Sequence, residues 1–168
     1  DIPAPIAAAL ERRGFEDLTP VQRAVVDATS GGRDLRISSQ TGSGKTVAIG
    51  LGLGDHFVSS SEASSADGQT SPGAAKKMGP RSGAAFPSVL VIGPTRELAA
   101  QVREEFGWLY ASLSNVRVEV VTGGTSVGGE RRNLARKPDL VVGTPGRLLD
   151  HMRSGALGCE AIQHVVLD

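Results

Sequence analysis

Apolar residues along this chain come in two spacings. Short unbroken runs, SVLVI at 88–92, VRVEVV at 116–121, DLVVG at 139–143 and HVVLD at 164–168, alternate with segments whose apolar positions recur every three or four residues. The first spacing predicts buried strands and the second amphipathic helices. IAAALERRGF predicts a helix ending at Gly14, and Pro20–Ala28 a second, with Thr19 at the N-cap and Pro20 at the first helical position. DLRIS, residues 34–38, reads as a short strand before a helix starting near Lys45; later helices are expected over Arg96–Tyr110, Glu130–Arg136 and just after DLVVG. Gly50, Gly52 and Gly54 each cost about 1 kcal/mol in a helix interior, so the helix from Lys45 is expected to end early. Helices alternating with near-continuous Val/Ile/Leu strands imply the α/β class, a parallel sheet with helices on both faces.

Residues 59–87, built from Ser, Ala, Gly and Pro, break the alternation. They read as a disordered surface insertion between two core elements. The 168 residues suffice for one core. No apolar run approaches the roughly 20 residues of a membrane span, so no membrane partner is expected. A single cysteine, Cys159, suggests a reducing compartment such as the cytoplasm. With 18 basic and 18 acidic residues, any grip on a polyanion must come from local clusters.

The strongest chemical signal is SSQTGSGKT, Ser38–Thr46, between a predicted strand and a predicted helix. Gly42 and Gly44 let backbone N–H groups around Thr41 and Ser43 turn toward a phosphate at a helix N-terminus. Lys45 supplies positive charge to β- and γ-phosphates, and the Thr46 hydroxyl is placed to ligate Mg2+. The strict phosphate-loop pattern has Gly where this chain has Ser39, a small residue. The competing reading is a Gly-rich turn with an incidental lysine. GFEDLTPVQ carries a similar ambiguity. Thr19 and Gln22 have the spacing of a capping box, yet the Gln22 amide offers the donor and acceptor that the edge of adenine requires.

Taken together, these stretches resemble the DEAD-box RNA helicases. GFEDLTPVQ is similar to that family's Q motif and SQTGSGKT to its motif I; PTRELAAQ, Pro94–Gln101, resembles motif Ia, Gly123–Gly124 the GG doublet, and TPGR, Thr144–Arg147, motif Ib. The resemblance implies a partial N-terminal RecA-like P-loop NTPase domain over residues 1–168, binding ATP and Mg2+. Thr19 and Gln22 are then expected at adenine, with Thr41, Gly42, Ser43, Gly44, Lys45 and Thr46 at the phosphates. Pro94, Thr95, Arg96, Gly123, Gly124, Thr144, Pro145, Gly146 and Arg147 are expected on single-stranded or locally duplex RNA, gripping its backbone with little sequence preference. Read without the family, TPGR is equally an ordinary helix start.

The resemblance also reads HVVLD as the strand and first residue of motif II, with Asp168 holding Mg2+ through water. In the family the next residue is the Glu that activates the attacking water, so these 168 residues are expected to bind better than they cut. A later strand is implied between the phosphate-loop strand and the Asp168 strand, so this stretch alone is expected to be incomplete at its C-terminal side and unstable. A second RecA-like domain is expected in the full-length chain, which would couple ATP hydrolysis to local unwinding.

Two other classes compete. GTSVG, Gly124–Gly128, matches a nucleophile elbow, and Asp150 and His164 follow Ser126 in hydrolase order. However, Ser126 does not directly follow its strand, and no oxyanion-hole stretch is present. The other competitor is a catalytically silent nucleotide- or RNA-binding scaffold. His56, His151, His164 and Cys159 lack zinc-ligand spacing and read as surface or packing residues.

Overall fold

Val, Leu and Ile dominate the strands, most completely in the two central ones, Val89–Ile92 and Leu140–Gly143, whose positions face packed side chains rather than water. The computed structural model describes residues 2–29, 34–40, 42–59, 84–113 and 116–168. Its elements run α1 (Ala4–Arg12), α2 (Pro20–Thr29), α3 (Lys45–Gly52), α4 (residues 54–59), β1 (Val89–Ile92), α5 (Arg96–Leu109), β2 (Val118–Val121), α6 (Val127–Leu134), β3 (Leu140–Gly143), α7 (Pro145–Arg153) and β4 (His164–Leu167). Two compact units share them. The first comprises Asp1–Thr70 and Glu105–Asn115, the second Ser71–Glu104 and Val116–Asp168.

In the first unit, α2 packs on α3, and the C-terminal turns of α5 bury Phe106, Leu109 and Tyr110. The Tyr110 hydroxyl donates to the Gly50 carbonyl at 2.7 Å, and burial pushes that phenol well above its ordinary range. A Cβ at Gly50 would stand 2.5 Å from Leu109 Cδ2, so the glycine that weakens α3 as a helix permits this close approach. As expected, α3 ends early, at Gly52; Leu53 makes a turn, and helix resumes at 54.

The second unit holds the sheet, with strand order β2-β3-β1-β4. All three pairings are parallel. Every residue of β3 and the first three of β1 are buried, and Leu90, Val121, Leu134, Val141, Leu148 and Leu157 form one apolar cluster. At β4 the side chains are only partly covered, in line with the incomplete sheet expected beside this strand. Val165 is 57% exposed and Leu167 78%, because β4 hydrogen-bonds to β1 on one side and no second strand flanks it among the described residues. DLRIS likewise forms no strand. Residues 34–40 take no regular secondary structure and pair with no strand among the described residues, and Leu35 is exposed; a strand exists only by exchanging backbone hydrogen bonds with a neighbour.

Residues 60–83 of the expected insertion lie outside the described residues. Its last residues, 84–87, belong to the fold: Ala84 and Ala85 are buried, and Ala85 bridges to Leu157 in parallel. Helix α6 begins at Val127, three residues before the expected Glu130, because Ser126 caps it; the Ser126 Oγ accepts from the Gly129 N–H at 3.4 Å.

Gly143, the last residue of β3, sits where α7 turns back over the sheet. A Cβ there would lie 2.6 Å from the Val121 carbonyl oxygen and 2.7 Å from Leu148 Cγ. Since Val121 O accepts the Thr144 N–H, the backbone cannot yield without breaking a bond. Gly143→Ala should therefore cost about 2 kcal/mol of stability; an unchanged midpoint in urea unfolding would contradict this packing.

Candidate functional site

The first unit builds a glycine-turned cradle at a helix start. Gly42 and Gly44 take φ of +79° and +84°, and Gly44 is the N-cap of α3. Such left-handed residues turn successive N–H groups to one side, and a helix N-terminus adds its unpaired donors and positive dipole end. Lys45 and Thr46 open the helix, half-buried. Thr41 lies outside the described residues. Ser39, where the strict pattern has Gly, is tied into the loop, because its hydroxyl and that of Ser43 hydrogen-bond at 2.8 Å.

Gln22 closes the cradle from behind. It is 0% exposed. Its Oε1 accepts the Thr19 N–H at 2.9 Å, which is the return half of a capping box. Its Nε2 donates to the Gly44 carbonyl at 3.4 Å, and the Thr19 hydroxyl donates to the Ser43 carbonyl at 3.0 Å. The two residues thus brace the loop in this conformation, and contact with a base would require the Gln22 amide to turn outward. A Cβ at Gly44 would meet Gln22 Nε2 at 2.5 Å.

A second site lies wholly in the second unit. Pro94, Thr95, Arg96, Glu97, Thr122, Gly123, Thr144 and Arg147 line an open groove of about 520 Å³. It occupies the carboxyl ends of three adjacent strands, where open α/β sheets hold ligands. Thr95 caps α5, its Oγ1 accepting the Leu98 N–H at 3.2 Å. Thr144 stands at the N-cap of α7 with Pro145 at the first helical position, and its side chain makes no cap bond. Gly146 follows, exposed. Two helix N-termini therefore open on the groove, which suits anions.

Two guanidinium groups lie on the glycine doublet. Gly123 and Gly124 have φ of +69° and +78°. A Cβ at Gly123 would be 3.2 Å from Arg147 Nη2, and one at Gly124 would collide with Arg96 Nη1. The backbone turn requires the doublet, and a side chain at either position would displace the arginine seated on it.

Behind the groove stands Glu130, 5% exposed, with His151, 1% exposed. Glu130 Oε1 accepts the Thr122 N–H at 3.1 Å and the Thr125 hydroxyl at 2.7 Å. Its Oε2 lies 2.7 Å from His151 Nε2 and 3.3 Å from Arg147 Nη1. An ionised carboxylate only accepts, so His151 Nε2 carries the proton. Burial pushes the Glu130 carboxyl up, but the hydrogen bonds from His151, Thr125 and Thr122 and the charge of Arg147 outweigh it and hold the group below its ordinary 4.5.

Sequence reasoning singled out the groove residues apart from Glu97 and Thr122, and missed what supports them. Glu130 had a signal: it lies four residues before buried Leu134, on the inward face of a short helix where a charge needs partners. His151 was expected on the surface or in packing, and packing is where it lies. Asp168 follows β4, its N–H donating to the Ile92 carbonyl at 3.0 Å. Among the described residues, no group of three or more His, Cys, Asp or Glu gathers to hold a metal. Ser126 is an ordinary helix cap with φ −62° and ψ 120°, so it lacks the strained turn a nucleophile elbow requires.

Comparison with known proteins agrees with this geometry. A family model described as DEAD/DEAH box helicase matches residues 19–168. The chain is 37% identical over 163 residues to DEAD-box ATP-dependent RNA helicase 9 of Oryza sativa subsp. japonica, covering 97% of this chain and 23% of that protein. To the ATP-dependent RNA helicase DbpA of Escherichia coli it is 36% identical over 159 residues, covering 95% of this chain and 30% of that one. Among solved structures, the RNA helicase Prp28 of Chaetomium thermophilum bound to ADP matches with a TM-score of 0.77 at 27% identity, over 99% of this chain and 36% of that one. A hypothetical ATP-dependent RNA helicase of Sulfolobus tokodaii matches with a TM-score of 0.75 at 26% identity, over 98% and 40%. The chain thus spans 23% and 30% of the lengths of these two sequence relatives.

Two expectations follow from the two sites. Ser39→Ala removes one neutral hydrogen bond from the phosphate loop and should weaken nucleotide binding several-fold, about 1 kcal/mol, whereas Gly44→Ala, strained and colliding with Gln22, should abolish it; equal effects in a fluorescent-nucleotide titration would contradict the loop geometry. Because the Glu130 pKa is lowered in the fold, its stabilisation is full above the ordinary carboxylate range and is lost as pH falls through the folded value. Glu130→Gln should accordingly flatten the acid limb of the stability curve in urea unfolding across pH, and an unaltered limb would refute the assignment.

Proposed function

Because the chain belongs to the DEAD/DEAH box helicase family, we propose that the protein carrying it is an ATP-dependent RNA helicase. In this reading the first unit holds ATP and the second grips an RNA strand. The observation that carries it is the groove at the strand ends, where Arg96 and Arg147 lie on Gly124 and Gly123 between two helix N-termini.

The phosphates of ATP are assigned to Gly42, Ser43, Gly44 and Lys45, whose loop has the conformation and charge they require, with Thr41 expected beside them. Each by itself, the Thr46 hydroxyl in the first unit and the Asp168 carboxylate in the second is an oxygen donor of the kind a hard cation such as Mg2+ prefers. When bound, Mg2+ offsets charge on the β- and γ-phosphates. Thr19 and Gln22 are placed next to the loop that would hold those phosphates, and turning the Gln22 amide outward would let it read adenine while releasing the Gly44 carbonyl.

In the groove, the guanidinium groups of Arg96 and Arg147 and the hydroxyls of Thr95 and Thr144 stand beside Pro94, while Pro145 sets the start of α7 and exposed Gly146 follows it. Donors of this kind meet phosphate and ribose rather than base edges, so sequence preference should be slight. The relatives, each an RNA helicase by name, favour RNA as the strand held. No described helix is long and apolar enough to cross a membrane.

The test uses the full natural polypeptide. Lys45→Ala should abolish ATP binding while leaving RNA binding without nucleotide intact. Arg96→Ala and Arg147→Ala should weaken single-stranded RNA binding similarly across sequences and lower its salt slope by about 1 each. Tight ATP binding by the lysine variant, or unaltered RNA affinity in both arginine variants, would overturn the assignment.

A further inference from the structure

Glu130 is the most heavily partnered side chain near the groove, yet it does not line the groove. Its two oxygens divide their partners by side. Oε1 takes the β2–α6 loop, through the Thr122 N–H and the Thr125 hydroxyl. Oε2 takes α7, through His151 Nε2 and Arg147 Nη1. Thr122, Gly123 and Arg147 do line the groove. A single carboxylate therefore ties the loop on one wall to the guanidinium on the other.

We propose that Glu130 is a positioning residue for the strand-binding groove: from behind, it sets the separation between the Gly123–Gly124 turn and the Arg147 guanidinium to which a phosphate backbone must fit. This rests on reading the groove as the RNA site. Stability alone gives a poor reason for the arrangement. A buried ion pair is often no more stabilising than apolar residues of the same volume, and the surrounding cluster of Leu134, Leu148 and Val121 would accept one. What an apolar residue could not do is orient a guanidinium and a backbone N–H at once.

The chemistry also demands a carboxylate. All four partners donate, so each oxygen must accept twice. A Gln at this position would turn an NH2 toward either the loop or the His151–Arg147 side, and one wall would lose its anchor. Arg147 would then be free to leave Gly123, and the groove would lose its width rather than its charge.

The decisive experiment is a double-mutant cycle in the full natural polypeptide, with a fluorescently labelled oligouridylate as the RNA probe and a fluorescent ATP analogue as the control ligand. Glu130→Gln should weaken oligouridylate binding about tenfold and leave nucleotide affinity unchanged. In an Arg147→Ala background the same substitution should add little, since the residue it positions is gone. General loss of stability would not spare the nucleotide or vanish in that background. If Glu130→Gln binds oligouridylate as the parent does, or if the two losses multiply, the positioning role is overturned. If Arg147→Ala itself leaves RNA affinity unaltered, the groove reading fails first and this inference with it. Should Glu130→Gln not fold, Thr125→Ala poses the question at an exposed position: a two- to three-fold loss that disappears with Arg147→Ala supports the role, and an absent or multiplying loss overturns it.

Discussion

Val121, Gly143, Ile92 and Leu167 stand level across the sheet, each the last residue of its strand. Parallel pairing in this register makes all four strands stop on one line and point the same way. The ladder then runs one step further, as Thr144 N donates to Val121 O, Gly93 N to Gly143 O and Asp168 N to Ile92 O. Everything chemical in the second unit depends on that alignment. It puts the loop after β2 and the helix starts after β1 and β3 side by side, so residues far apart in sequence share one groove. A slip of one residue in any pairing would turn that strand's side chains to the opposite face and carry its loop out of line.

The phosphate cradle of the first unit is made differently. It relies on two left-handed glycines, a helix start and bracing by Thr19 and Gln22, all within local reach or one helix contact. A cradle of this kind needs no sheet register to exist, only a backbone able to take positive φ. That is why it stands here although the expected strand before it forms no ladder.

The glycines of this chain show local propensity yielding to tertiary need. In α3 and at the end of β3 they weaken the element and admit a neighbour, with Gly50 under Leu109 and Gly143 under Leu148. Helix α6 is a poor helix by composition, with two glycines in eight residues, and it is held by a serine cap and by Leu134 and Glu130 facing inward. Burying a charge there costs stability unless each lone pair is met, and four donors meet it.

Much of this was legible in the sequence. Four of the five expected strands and the helix starts at Pro20, Lys45, Arg96 and Pro145 followed from apolar spacing and capping residues, because those signals are local. The motif residues were legible too, since a phosphate loop and a Thr-Pro-Gly-Arg turn carry their geometry in a few consecutive positions. Three things were decided only by the tertiary structure. DLRIS is a strand by pattern and none in fact, because pairing requires a partner that no local pattern supplies. Gln22 serves a cap and the phosphate loop together, a choice settled by what packs beside it. Glu130 gains its meaning from Thr122, Thr125, Arg147 and His151, which converge on it only once β2 and β3 have paired. Sequence determines what is written in neighbouring residues; the fold decides what depends on distant chain segments meeting, because only their meeting sets the distances.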